Sequence, residues 1–206
     1  MKNKKSNTQK NLSEKYTSQK NKYKILILGH NYVGLTAFFH KLKTGKFDPC
    51  LPYRLGIETY EMIVKMEDNR KVPFKIYDTK GQEKEREIIT RVLFKETDGV
   101  ILIYSIDNKE SFDDLENWLR MLKEDIKTEI PIFLIGNKRD LEEERIITFE
   151  QGAKFAEKHG FMFSECSVRC DSWDEIKSIV EKLAKTIYEK NNIQTRLKIL
   201  NKYLSF

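Results

Sequence analysis

Apolar residues fall along this chain in short blocks separated by polar turns. The first block, Tyr23-Lys24-Ile25-Leu26-Ile27-Leu28-Gly29, reads as a strand buried on both faces and ends in glycine. A helix is predicted over residues 35–43. Ile57 to Met66 and Val72 to Asp78 predict two strands around the polar turn Glu67-Asp68-Asn69-Arg70. The pattern then predicts a strand at Gly99–Ser105, a helix at Ser111–Ile126 and a strand at Ile132–Gly136. A helix at Phe149–His159, a short strand at Met162–Glu165 and a helix at Trp173–Lys190 complete it. Apolar strands alternating with helices imply an α/β fold, a mostly parallel six-stranded sheet covered on both faces.

The flanks follow a different pattern. Residues 1–22 hold seven lysines and one glutamate, a net charge of +6, and almost no apolar side chains. The whole chain also sums to +6, so residues 23–206 are formally neutral. Such a tail is expected to be disordered alone. It reads either as a solvated extension or as a contact for an acidic surface; without interleaved aromatics, nucleic acid is not the expected partner. At the other end, Ile193, Leu197, Leu200 and Leu204 recur at spacings of four, three and four, one face of a helix, with Arg196, Lys198 and Lys202 elsewhere around it. That stripe is expected to pack back on the domain, to dock a partner helix, or to lie on a membrane. The reading is thus three segments: a basic extension (1–22), a domain (23–190) and an amphipathic helical extension (191–206).

Composition narrows the class. Charged residues are 34% and hydrophobic ones 39%, as expected of a soluble globular protein. No run approaches a membrane span, and the Met1-Lys2-Asn3-Lys4-Lys5 start predicts neither a secretory signal nor myristoylation. Cys50, Cys166 and Cys170 lack metal-like spacing and read as reduced thiols of a cytoplasmic protein.

In a parallel α/β sheet ligands bind at the carboxyl ends of the strands, so the chemistry is sought in those loops. After the first strand comes Gly29-His30-Asn31-Tyr32-Val33-Gly34-Leu35-Thr36, with the glycine spacing and strand-to-helix setting of a phosphate-binding P-loop. Backbone N–H groups and a helix N-terminus hold an anion there whatever the side chains are. Alone, such a turn is common. Three further loops fall at matching strand ends: Asp78-Thr79-Lys80-Gly81-Gln82-Glu83, Asn137-Lys138-Arg139-Asp140 and Glu165-Cys166-Ser167-Val168.

These four motifs, in this order and spacing over about residues 23–190, resemble the Ras superfamily of small GTPases. Ser111-Phe112-Asp113-Asp114-Leu115-Glu116-Asn117-Trp118-Leu119 and Leu55-Gly56-Ile57 look most like the Rab branch. The resemblance implies a P-loop small G domain that binds GTP or GDP with Mg. Asn137 and Asp140 match the guanine-reading pair, and Lys138 the residue whose stem covers the base. Ser167 and Val168 match the loop at the guanine carbonyl, although Val168 stands where alanine is usual and is expected to crowd it. Phe47 matches an aromatic over the base face. Gly29, Asn31, Val33 and Gly34 match the phosphate cradle. Thr36 and Asp78 match the magnesium side, Gly81 the amide that senses the third phosphate, and Gln82 the residue that orients attacking water.

The same resemblance exposes departures. Leu35 stands where the P-loop has lysine, and losing one partner of a desolvated charge pair costs roughly 2–5 kcal/mol. Tyr32 replaces a small residue and is expected to be bulky beside the phosphates. Arg54 stands at the threonine that binds magnesium in the first switch, and a guanidinium has no lone pair to offer a cation. Lys80 and Arg54 face the terminal phosphate in the family, so they are candidates to restore the missing charge. The chain ends Lys202-Tyr203-Leu204-Ser205-Phe206, without the cysteines that Rab proteins prenylate. The expected function is a Rab-like GTP-binding protein with weak or absent hydrolysis, acting through protein effectors or a larger assembly. The alternative is a nucleotide-independent pseudo-GTPase that serves as an adaptor.

Overall fold

Strand β1 (Tyr23–Gly29) shows why the chain folds in layers. Its side chains alternate between two cores. Ile25 and Ile27 enter one, with Phe38, Phe39, Leu42, Val180 and Leu183. Leu26 and Leu28 enter the other, with Leu102, Trp118, Leu119 and Ala156. Period-two alternation of apolar groups on both faces requires helices on both sides of the sheet. The computed structural model describes residues 20, 22–52, 56–79, 92–126 and 129–204, without the side chains of 196, 198, 199 and 202–204.

Among those residues, β1 is followed by α1 (Leu35–Thr44), β2 (Glu58–Lys65), β3 (Lys71–Asp78) and β4 (Gly99–Ser105). Then come α2 (Lys109–Asp113), α3 (Leu115–Asp125), β5 (Ile132–Asn137), α4 (Phe149–His159), β6 (Met162–Glu165) and α5 (Trp173–Leu204). The six strands lie in the order β2-β3-β1-β4-β5-β6. Every neighbouring pair is parallel except the β2–β3 hairpin. This is the fold the sequence predicts. β4 and β5 are buried at every position, as their unbroken apolar runs require. The hairpin tip is tied to α5, where Asp68 accepts from the Tyr188 hydroxyl at 3.1 Å and Arg70 lies over the Tyr188 ring.

Two elements differ from expectation. The helix predicted over Ser111–Ile126 is divided into α2 and α3 at Asp114. Asn108 caps the short first piece by accepting from the Ser111 amide, which starts the helix earlier than its apolar stripe does. The helix predicted over Trp173–Lys190 and the helical extension predicted after it are one unbroken helix to Leu204. No glycine or proline stands between 173 and 204 to stop it. Its buried face ends at Ile187 and Tyr188, and beyond them Ile193, Leu197 and Leu200 are 57%, 52% and 54% exposed. The described part of the stripe therefore does not pack back on the domain. Leu197→Glu and Leu200→Glu should each change unfolding free energy by no more than about 0.5 kcal/mol; a larger loss in a thermal or urea melt would show that this face is covered. No helix among the described residues is long and apolar enough to cross a membrane.

Candidate functional site

Because β1, β3, β4, β5 and β6 are parallel, their carboxyl ends share one edge, and the four motif loops leave from it. Gly29 is required at the floor of the first loop, since a Cβ there would overlap the Ile103 carbonyl oxygen of β4. Gly34 opens α1 at φ 93°, a left-handed conformation suited to glycine. Tyr32 adopts φ 62° and keeps the loop's turn at a cost of about 1–2 kcal/mol for a residue with a Cβ. Its ring is 86% exposed. Asn31 is half-buried and Val33 fully buried. His30 flanks the loop, its Nε2 3.7 Å from Glu110 Oε1.

Leu35 points into the core and is only 7% exposed, close enough that a Cβ on Gly29 would lie 3.3 Å from its Cδ2. The position of the missing lysine is therefore filled with packed hydrocarbon. Thr36 follows, half-buried, in the first turn of α1. Asp78 ends β3 fully buried, opposite Ile27 in the sheet register. A hydroxyl and a carboxylate are hard oxygen donors of the kind Mg takes together with phosphate oxygens and water, so the pair fits such an ion. Arg54, Lys80, Gly81 and Gln82 lie outside the described residues.

The base-side residues form one hydrogen-bonded cluster. Asn137 is 2% exposed, and its Nδ2 donates to the Val33 carbonyl at 2.8 Å. Its Oδ1 accepts from the Val168 amide at 3.1 Å and from the Cys166 thiol at 3.6 Å. One side chain thus staples the P-loop to the loop after β6. Asp140 is exposed, and its Oδ1 accepts from the Ser167 hydroxyl at 2.6 Å. Its remaining acceptor capacity suits two adjacent N–H donors on one ligand edge. Val168 is 3% exposed and packs into the β1–α1 core. Phe47 is half-buried against the same core rather than standing free.

Three partners carry no motif signal. Lys138, at φ 65°, places Nζ 3.2 Å from Asp107 Oδ2. Burial pushes the Asp107 carboxyl up, but hydrogen bonds from Ser105 and the Lys138 charge hold it below the usual carboxylate range. Lys41, 5% exposed in α1, donates to the carbonyls of Val168 (2.8 Å) and Asp171. Trp173 Nε1 donates to the Leu42 carbonyl at 3.0 Å. Lys41 falls three residues after Phe38 and next to Leu42, on the margin of the apolar face, which is the one sequence signal that could have marked it. Burial pushes the Cys166 thiol well up, so it is an inert part of the cluster.

Residues 24–189 match the model of the Ras family. The chain is 34% identical over 168 residues to human Ras-related protein Rab-3A, covering 82% of this chain and 74% of that protein. It is 34% identical over 170 residues to human Ras-related protein Rab-3D, covering 82% of this chain and 76% of the relative. Human EF-hand calcium-binding domain-containing protein 4B matches at 34% over 145 residues, 70% of this chain but 20% of that protein. With the strand order, the motif loops at one sheet edge and a family match spanning most of its length, this chain belongs to the Ras family of small GTPases, as a Rab-like member.

Proposed function

We propose that this protein binds guanine nucleotide through an intact base site and turns GTP over slowly or not at all, acting through contacts with other proteins. The observation that carries this reading is a contrast within one site. Asn137 holds the Val33 carbonyl and the Val168 amide, and Asp140 the Ser167 hydroxyl, by hydrogen bonds of 2.6 to 3.1 Å, while the P-loop cation position is a buried leucine. A carboxylate at Asp140 accepts from the guanine N1–H and its exocyclic amine, a pair of donors that adenine does not present. The strand-to-helix turn of residues 29–36, with Gly34 at the start of α1, supports this reading, since backbone N–H groups at such a helix start would receive phosphate. Thr36 and Asp78 would hold Mg, which when bound neutralises charge on the phosphate oxygens.

Hydrolysis requires charge stabilisation fixed in place before the transition state forms. Leu35 supplies none, and Gln82 alone would only orient water. Under this reading Lys80 and Arg54 restore part of the phosphate charge. The expected result is stoichiometric GDP or GTP released from denatured, gently purified protein, with no measurable GTP cleavage in a single-turnover assay. Cleavage at a rate ordinary for a small GTPase would overturn the slow-turnover reading. The adaptor reading is favoured by one observation, the exposed Ile193, Leu197 and Leu200 on a helix that outruns the domain. A chain that is empty as purified and takes up no added GTP would select it.

A further inference from the structure

Lys41 is a buried cation outside the P-loop and outside every motif loop. It lies on α1, yet both its hydrogen bonds cross to the loop that follows β6, at the carbonyls of Val168 and Asp171. An ammonium has three donors and no acceptor, and burying one is costly unless oxygen atoms surround it. The two carbonyls belong to the ends of a short turn. Within that turn the Ser167 amide donates to Asp171 Oδ2 at 2.9 Å, and the Cys170 amide to Ser167 Oγ at 2.9 Å. The Ser167 hydroxyl in turn donates to Asp140 Oδ1. Trp173 makes a second tie in the opposite direction, from the start of α5 to the Leu42 carbonyl of α1. Residues 167–171 are therefore clamped between α1 and α5.

We infer that Lys41 is a positioning residue for base recognition: by holding the 167–171 turn against α1, it fixes Ser167 and, through it, the Asp140 carboxylate. This rests on the guanine-binding reading above. It extends that reading by placing the control of base specificity on the P-loop helix rather than on the base loop itself. The link also joins the two halves of the site, since α1 begins at the phosphate loop and Lys41 ends at the base loop.

The test compares wild type, Lys41→Met and Lys41→Arg. Methionine keeps the apolar stem without the donors, and arginine keeps a charged donor group on a stem of similar length. Calorimetric titration with GDP and with IDP, which lacks the exocyclic amine, reads base discrimination. Hydrogen exchange at the Ser167 and Cys170 amides reads the turn without nucleotide. Lys41→Met should weaken GDP about tenfold, the equivalent of one hydrogen bond to a charged group, and weaken IDP much less. Lys41→Arg should restore most of the GDP-to-IDP ratio, and exchange at both amides should accelerate in the methionine variant only. A lower melting temperature with the ratio unchanged would reduce Lys41 to a structural tie and overturn the inference. Unchanged amide exchange would overturn it as well. If wild type binds neither nucleotide, the guanine reading fails, and the clamp stands or falls on amide exchange alone.

Discussion

Leu35→Lys should tighten GDP and GTP binding by a factor between roughly thirty and several thousand, the affinity equivalent of about 2–5 kcal/mol. The leucine is the first residue of α1 and lies 7% exposed against Gly29. A lysine stem can occupy the same apolar surface and carry its ammonium to the loop rim, as long charged side chains do elsewhere. With phosphate present the charge is paired and desolvation is offset. Without phosphate the ammonium replaces packed methyl groups and has only backbone carbonyls or water to turn to. The sign of the stability change should therefore reverse with ligand: Leu35→Lys melts lower than wild type when empty and higher when saturated with GDP. Melting curves with and without GDP, beside competition binding, check both halves. An unchanged affinity would show that charge near the phosphates comes from elsewhere, with Lys80 and Arg54 the first to examine.

The sheet and its motif loops were legible because they rest on short-range rules. The Ile25/Ile27 and Leu26/Leu28 alternation, and the glycines at 29 and 34, are local signals with a single structural solution. What could not be read depends on where a side chain ends. Val168 and alanine differ by methyls that would crowd a ligand or fill a core, and only packing decides that they fill the core. Tyr32 announces bulk, but not the left-handed backbone at φ 62° on which the exposed ring is carried. Lys41 stands among His40, Leu42 and Lys43 and looks like surface charge until the loop after β6 supplies the carbonyls that receive it. The sequence marks residues 191–206 as helical, but not that they continue the domain's last helix without a break. Asn191 and Asn192 weaken a helix slightly, but a helix already nucleated and docked over Trp173–Tyr188 propagates through them.

Asn137→Ala should be the most damaging single substitution in the site. Truncation leaves the Val33 carbonyl and the Val168 amide without the partners they now have at 2.8 and 3.1 Å. Each buried group left unsatisfied costs about 1–3 kcal/mol, so for two the expected loss of stability is about 2–6 kcal/mol. The lost staple also frees the P-loop from the loop after β6, so nucleotide binding should fail even in molecules that remain folded. Asp140→Ala is the contrasting case. Asp140 is exposed and its visible protein partner is the Ser167 hydroxyl, so its loss should remove guanine affinity while shifting stability far less. Chemical denaturation of the two variants, paired with GDP titration, separates the roles. Equal destabilisation by both would mean that Asp140 is part of the fold's scaffold. If Asn137→Ala kept full stability, the staple between the two loops would have no energetic weight, and the unity of the base site would have to come from Lys41 and Trp173 instead.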